Sequence, residues 1–77
     1  MQQRINNIES EVIERLYRLF ILRYQGNNSK LAKASDCSET TIRRVFSGKQ
    51  GVTLNLFLRI CNALEVTPIE VLNESYH

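Results

Sequence analysis

The chain has 77 residues, of which 43% are hydrophobic and 23% charged, with one proline and three glycines. A chain of this length forms one small domain, whose core supplies no more than about 3–5 kcal/mol, so dimerisation would add stability. The length leaves little room for a deep catalytic cleft, and the composition excludes collagenous, disordered and loop-rich chains. We therefore expect residues 1–77 to form a single domain.

The net charge of +2 is unevenly distributed along the sequence. Residues 1–27 carry a net charge of +1, residues 28–63 carry +4, and residues 64–77 carry −3. Either this distribution arises by chance in a short chain, or the middle of the sequence faces an anionic partner.

The cysteine and histidine content argues against a disulfide framework and a metal site. Cys37 and Cys61 lie among apolar residues, and the single histidine is His77. We interpret the cysteines as reduced, buried thiols of a cytoplasmic protein without metal or other cofactor. No Ser/His/Asp, Cys/His or paired-carboxylate constellation is present, so we expect no enzymatic activity. The longest apolar run, residues 19–22, is far shorter than the roughly 20 residues that cross a bilayer, and no signal peptide is visible.

Apolar residues at intervals of three and four predict a first helix over about residues 8–24, with residues 1–8 as an extension or as its start. Gly26 ends this helix. A short second helix follows over about residues 29–35. We expect Asp36 to form a tight turn after it, because Asp tolerates a left-handed backbone better than most residues.

Capping residues mark the next two helices. Ser38 is a good N-cap for a third helix over about residues 39–47, and Gly48 is a natural stop at its end. Thr53 caps a fourth helix, which runs to about residue 64.

A fifth helix has two start signals together. Pro68 suits the first helical position, and Thr67 with Glu70 forms a capping-box pattern. We expect this helix to end near residue 73 and to leave residues 74–77 frayed. Because strand signals are absent, the sequence predicts an all-α bundle of five helices.

Two short helices joined by a turn of about four residues occupy residues 31–49, LAKASDCSETTIRRVFSGK. Ala32 is small where the second helix approaches the third, and Ile42 and Val45 point back at the second helix. A helix-turn-helix needs these residue types at this spacing, so that its second helix protrudes and can enter the major groove of DNA.

This segment resembles the phage repressor and Cro type of helix-turn-helix, the lambda-repressor-like or XRE family. The resemblance covers about residues 12–72 and rests on the joint spacing of Leu31-Ala32, Ser38, Thr41-Ile42, Val45, Gly48-Lys49, Thr53-Leu54, Leu58, Ala63-Leu64 and Val66-Thr67. It implies a five-helix lambda-repressor-like fold that binds double-stranded DNA in a sequence-specific way, usually as a homodimer.

The resemblance places base-reading residues at Glu39, Thr40 and Arg44, with Thr41 and Arg43 at the margin. Helical geometry independently puts Thr40, Arg43 and Arg44 opposite the apolar face of the third helix. Arg can pair bidentately with guanine, and a Thr hydroxyl can contact a base edge. Glu39 either accepts from cytosine or only favours the helix dipole. The alternative is that Arg43 and Arg44 are ordinary solvent-exposed surface residues without a role in base recognition.

Phosphate contacts are implied at the start of the second helix and in the loop after the third. The candidates are Asn28, Ser29, Ser47, Lys49 and Gln50. Free backbone N–H groups at a helix start suit an anion, and such contacts position a protein without specifying sequence. Lys30 and Lys33 are either further contacts or ordinary surface lysines.

Three features depart from the family's pattern. Asn28 is shorter than the Gln that commonly touches phosphate, and Asp36 stands where Gly is usual. Phe46 and Ile21 stand where the family commonly pairs Glu with a buried Arg of the first helix. We predict that Phe46 contacts Ile21 or Phe20, because replacing a buried ion pair by packed apolar groups is often neutral or stabilising.

The first helix carries a second apolar stripe, which consists of Ile5, Ile8, Val12, Leu19 and Leu22. Either this stripe covers the fifth helix within one monomer, or it forms a dimer seam. The fifth helix, with Ile69 and Leu72, is the competing dimer surface.

The leading interpretation is a small transcriptional regulator, a repressor that acts as a homodimer with its third helix in the major groove. An antitoxin or a restriction-modification controller of the same fold is an alternative, with a toxin or an antirepressor as a possible protein partner. A protein-interaction module that does not bind DNA is another, although Arg43 and Arg44 speak against it. Salt-dependent binding to duplex DNA distinguishes this last class from the others.

Overall fold

The computed structural model describes the backbone of residues 2–75 and the side chains of residues 7–73. It contains five helices in this range and no strand: α1 Gln2–Tyr24, α2 Asn28–Ala34, α3 Glu39–Phe46, α4 Leu54–Ala63 and α5 Pro68–Ser75. The predicted all-α architecture of five helices is confirmed.

The helix ends differ from the expected ones by a few residues. Helix α1 begins at Gln2, so the described part of residues 1–8 is the start of the first helix. Helix α2 begins at Asn28, one residue early, because the side chain of Asn27 is the N-cap and accepts a hydrogen bond from the backbone N of Lys30. Helix α5 continues to Ser75, two residues beyond its expected end, and residues 76–77 lie outside the described part of the chain.

The predicted N-caps of the later helices are confirmed. Ser38 Oγ accepts a hydrogen bond from the backbone N of Thr41 at 3.1 Å, and Thr53 Oγ1 accepts one from the backbone N of Leu56 at 3.1 Å. Thr67 Oγ1 accepts from the backbone N of Glu70 at 3.2 Å. Each such cap satisfies a donor that the helix leaves without a partner and contributes about 1 kcal/mol.

Helices α2, α3 and α4 end in the same way, with a left-handed residue after the last turn. These residues are Asp36, Gly48 and Glu65, with φ of 56°, 74° and 57°. At Gly48 the reversal also closes two backbone hydrogen bonds, since Gly48 N donates to Val45 O and Lys49 N donates to Arg44 O. This is the Schellman arrangement, which glycine adopts at the lowest cost. The tight turn predicted at Asp36 is confirmed.

The core lies where the inner faces of the five helices meet. Its buried side chains are Leu16, Phe20, Leu31, Ala32, Ile42, Val45, Leu56, Phe57, Ile60, Cys61, Leu64 and Val71. Helix α3 packs on α2 at one side and on α1 at the other, and α5 packs along α1. Helix α3 is therefore held from two directions.

The two cysteines lie in different environments, and neither forms a disulfide. Cys61 is buried, as expected, and burial raises the pKa of its thiol to about 11. The prediction of burial is wrong for Cys37, which is only half-buried because it lies in the turn at the surface. Partial burial raises the pKa of the Cys37 thiol, and the positive charge of Arg59 opposes this rise.

Phe46 joins α3 to α1 through an aromatic cluster, which consists of Tyr17, Phe20 and Phe46. The rings of Phe46 and Phe20 are stacked, with centroids 5.2 Å apart and planes 12° apart. Tyr17 meets both rings edge-on, at 5.3 Å from Phe46 and 6.0 Å from Phe20. The predicted contact of Phe46 is confirmed with Phe20. Such ring pairs contribute about 0.5–1.5 kcal/mol beyond the area that they bury.

The second apolar stripe of α1 is divided between two environments. Val12 and Leu19 pack against the core of the monomer, whereas Leu22 is 72% exposed. Ile8 is half-buried, and the side chain of Ile5 lies outside the described residues. Val12 and Leu19 of the stripe therefore make contacts within the monomer, on helix α1, against which α5 packs. No helix in the described part of the chain is long and apolar enough to cross a membrane.

Candidate nucleic-acid interface

Helix α3 buries one face and presents the other to solvent. Ile42 and Val45 are fully buried, and the half-buried Phe46 packs in the aromatic cluster. The four predicted base-contacting residues, Glu39, Thr40, Arg43 and Arg44, are all exposed. Thr40, Arg43, Arg44 and Ser47 follow i, i+3, i+4, i+7 spacing, so they form one polar stripe along the helix.

Within this stripe, Arg43 and Glu39 form an ion pair. Arg43 Nη2 lies 3.2 Å from Glu39 Oε1, with side-chain exposures of 61% and 47%. Pairs one turn apart on an exposed helix contribute only about 0.3–0.5 kcal/mol, so the two side chains separate readily. The spacing of four residues could have predicted this pair from the sequence.

Arg44 is the more available arginine. Among the described residues, its guanidinium has no hydrogen bond and no ion pair. Its backbone O accepts the hydroxyl of Ser47 at 3.2 Å and the backbone N–H of Lys49 at 2.9 Å. The backbone of Arg44 is therefore fixed by the end of the helix, while its side chain extends freely into solvent.

Thr41 has a structural role at the start of α3. It is half-buried, and its Oγ1 lies 2.9 Å from Ser38 Oγ. A hydroxyl already engaged with the N-cap is less available to a base edge, which agrees with the marginal position that the sequence gives this residue.

The five predicted phosphate-contacting residues lie at two places. Ser47, Lys49 and Gln50 are exposed in the loop that follows α3. At the start of α2, Ser29 is exposed and Asn28 is half-buried. Asn27, which the sequence analysis did not select, is exposed and caps α2, since only its side chain reaches the backbone N of Lys30.

The basic residues of the middle segment have different roles in the folded chain. Lys30, Lys33 and Lys49 are exposed. Arg59 is half-buried instead, and its Nη1 donates a hydrogen bond to the backbone O of Asp36. Arg59, one of the six basic residues of the middle segment, therefore stabilises the turn between α2 and α3.

An open cleft of about 510 Å³ lies between α1 and the end of α3. Its α1 side includes Glu9, Glu14 and Tyr17, and its other side is formed by residues 46–48. Glu14 is paired with Arg18. Glu9 Oε2 lies 3.6 Å from the position that a Cβ atom would take at Gly51. The carboxylate of Glu9 thus lies against the loop after α3, which we name the α3–α4 loop (residues 47–53).

The residues that the structure describes include no group of three or more His, Cys, Asp or Glu side chains that could hold a metal ion. The exposed polar groups near α3 are instead hydrogen-bond donors and cations, together with the carboxylates of Glu39, Glu9 and Glu14. These groups suit an extended anionic partner whose surface also offers hydrogen-bond acceptors.

Comparison with known proteins agrees with this geometry. Neither a curated protein nor a solved structure matches the chain. Residues 15–73, more than half of the chain, match the family described as the Cro/C1-type HTH DNA-binding domain. The matched range includes α2, α3 and the α3–α4 loop. The chain therefore belongs to the Cro/C1-type helix-turn-helix family of DNA-binding transcription regulators.

Proposed function

We propose that the protein is a repressor that binds a specific double-stranded DNA sequence as a homodimer, with α3 in the major groove. The observation that carries this proposal is the exposed polar stripe of α3, with its two adjacent arginines, on a helix that buries Ile42 and Val45 on its opposite face. A helix that is packed on one face and presents polar side chains on the other has the shape that major-groove readout requires.

Base readout rests mainly on Arg44, whose guanidinium has no partner among the described residues. A free guanidinium can donate two hydrogen bonds to O6 and N7 of guanine. Thr40 lies one turn before Arg44 and contacts the next base edge. Arg43 and Glu39 act as a pair: Glu39 holds Arg43 in the free protein and accepts from cytosine when Arg43 turns to a base.

Phosphate contacts flank the stripe at both ends. The exposed residues of the α3–α4 loop, Ser47, Lys49 and Gln50, approach the backbone on one side of the groove. Asn28 and Ser29, at the start of α2, approach it on the other side, where their own backbone N–H groups have no intrahelical partner. These contacts fix the position of α3 without selecting a sequence.

The proposed dimer is supported by an exposed apolar surface on the side of α5, the α5 surface, which consists of Leu54, Ile69 and Leu72. Leu54 and Ile69 are 72% and 70% exposed, and Leu72 borders a cleft of about 350 Å³ that also includes Val12 and Phe57. Contiguous exposed apolar residues commonly mark an interaction surface. In such a dimer the two α3 helices have to lie about 34–36 Å apart to enter successive major grooves.

The experiment that tests this function is selection of bound duplexes from a random pool. We expect one sequence family to be enriched, with two inverted half-sites whose centres are one helical turn apart. Enrichment of a single, non-repeated site would contradict the dimer. Binding without any enrichment would contradict base readout.

The role of Arg44 is tested on the selected duplex. We expect Arg44→Ala to weaken binding to the selected site by about 1–3 kcal/mol for each lost guanine contact, and to weaken binding to random DNA far less. Lys49→Ala is the matched control, because loss of a phosphate contact lowers affinity for both duplexes about equally. Equal losses with Arg44→Ala would make Arg44 a phosphate contact.

A further inference from the structure

The carboxylate of Glu9 is an unbalanced negative charge beside the α3–α4 loop. Glu9 is exposed, and it has no ion pair or hydrogen bond with any other residue that the structure describes. Its side chain lines the cleft that ends at Ser47 and Gly48, and also the neighbouring cleft that includes Val52. With Oε2 3.6 Å from the Cβ position of Gly51, the carboxylate lies against the middle of this loop.

The same loop carries Ser47, Lys49 and Gln50, to which the proposed function assigns phosphate contacts. A phosphate that reaches these residues comes near the Glu9 carboxylate, and two negative charges at such a distance repel each other. Building on the proposed function, we propose that Glu9 lowers the affinity for DNA by repelling the phosphate bound at the α3–α4 loop. Because the repelled group is a phosphate, the effect is the same on every sequence.

The other carboxylates of α1 differ from Glu9 in a way that makes the proposal specific. Glu14 also lines the cleft, but its charge is paired with Arg18. Glu11 is exposed and lies two residues after Glu9, which places it about 200° further around the helix and away from the loop. Glu11 is therefore a control with the same charge, on the same helix, at a similar exposure.

The experiment compares Glu9→Lys with Glu11→Lys, which change the net charge of the whole protein by the same amount. Dissociation constants are measured on the selected duplex and on random duplex over a series of salt concentrations. We expect Glu9→Lys to raise affinity about tenfold at low salt on both duplexes, and to steepen the dependence of log K on log salt by about 0.9 per subunit, the value for one added phosphate contact. Glu9→Gln gives a smaller rise, about threefold, since it removes the repulsion without adding a cation.

The matched variant decides between a local and a general charge effect. At about 0.1 M salt we expect Glu11→Lys to change affinity less than about twofold, because the Debye length is then about 10 Å, which is close to the width of the helix. Equal rises with Glu9→Lys and Glu11→Lys would overturn the proposal in favour of net charge alone. No rise with Glu9→Lys would also overturn it, since the carboxylate would then not meet the phosphate.

Two further measurements distinguish an effect on DNA binding from an effect on folding, and a failure of this inference from a failure of the proposed function. Both positions are exposed, so the thermal unfolding midpoints of the variants should equal that of the wild type. If the wild-type protein binds DNA while Glu9→Lys has no effect, only this inference fails. If the wild type binds no duplex at any salt concentration, the proposed function fails and the inference with it.

Discussion

Asp36 adopts a left-handed backbone at the turn between α2 and α3, where the related family usually has glycine. Its φ is 56°, and the residues around it close the same pair of hydrogen bonds as at Gly48: Asp36 N donates to Lys33 O, and Cys37 N donates to Ala32 O. The hydrogen bond that Arg59 donates ends on the backbone O of Asp36, so it does not depend on the side chain. The side chain thus adds strain without making the contact that supports the turn.

We therefore expect Asp36→Gly to raise the free energy of unfolding by about 0.5–1 kcal/mol, because glycine adopts this backbone without a Cβ clash. Urea denaturation measures the change, with the slope of the transition held constant. Asp36→Ala is the control, since it removes the carboxylate but keeps Cβ, and we expect it to lower stability. An equal gain with Asp36→Ala would show that the charge, and not the backbone, determines the effect.

At the scale of residues, local chemistry could be predicted from the sequence and distant partners could not. The caps at Ser38, Thr53 and Thr67 were predictable because a cap and its donor are three residues apart. Asn27 was not, because three capping residues follow one another at positions 27–29. The role of Arg59 was hidden for another reason: its acceptor at Asp36 lies 23 residues away in the sequence.

The aromatic cluster packs α3 on α1, and it is one of the two contacts that hold α3 in place. Phe46 stacks on Phe20, the neighbour of Ile21, which is the position that the resemblance pairs with residue 46. The sequence predicted an apolar contact from the paired replacement at positions 21 and 46. It did not predict Tyr17 as the third ring, because periodicity places a residue on a face of a helix but not against a particular neighbour.

A double-mutant cycle of Phe46→Leu and Phe20→Leu tests this contact. We expect each single variant to lower the free energy of unfolding, and the pair to show a coupling energy of about 0.5–1.5 kcal/mol, since leucine keeps much of the apolar volume but no ring. Urea denaturation of the four proteins gives this value. A second cycle combines Phe46→Leu with Phe57→Leu in α4 and should show coupling close to zero. Equal coupling energies in both cycles would show that the substitutions loosen the core in general, and would contradict a specific contact between Phe46 and Phe20.

At the scale of the whole molecule, the distribution of charge in the sequence only partly describes the surface of the fold. The middle segment carries a net charge of +4, but Arg59 supports the turn and Arg43 is paired with Glu39. Glu9 comes from outside that segment, and the fold brings it to the α3–α4 loop. Counting charges along the chain could indicate an anionic partner, but it could not show which charges face it, because that depends on contacts between distant residues.

Burial within the monomer distinguishes the two candidate dimer surfaces, the stripe on α1 and the α5 surface. The stripe on α1 uses Val12 and Leu19 inside the monomer, and its described remainder is divided between the half-buried Ile8 and the exposed Leu22. The α5 surface keeps Leu54 and Ile69 exposed. Leu54 and Leu72 border one apolar cleft, and Ile69 lies one turn before Leu72 on α5. A two-fold contact uses the same patch on both chains, so a contiguous patch is better suited to it than a divided stripe.

For the proposed homodimer, we therefore expect Ile69→Glu to give a monomer, because two carboxylates would meet in a desolvated contact at the symmetry axis. Sedimentation equilibrium measures the dimer dissociation constant, which should rise at least about tenfold, the equivalent of 1.4 kcal/mol. Leu22→Glu is the matched control: Leu22 is as exposed as Leu54 and Ile69 but lies on the α1 stripe, and its substitution should leave the dimer intact. The opposite result, a monomer with Leu22→Glu and a dimer with Ile69→Glu, would assign the dimer seam to α1. On the selected duplex, Ile69→Glu should also weaken binding to the full site while leaving affinity for a single half-site unchanged, since each α3 still reads its own bases.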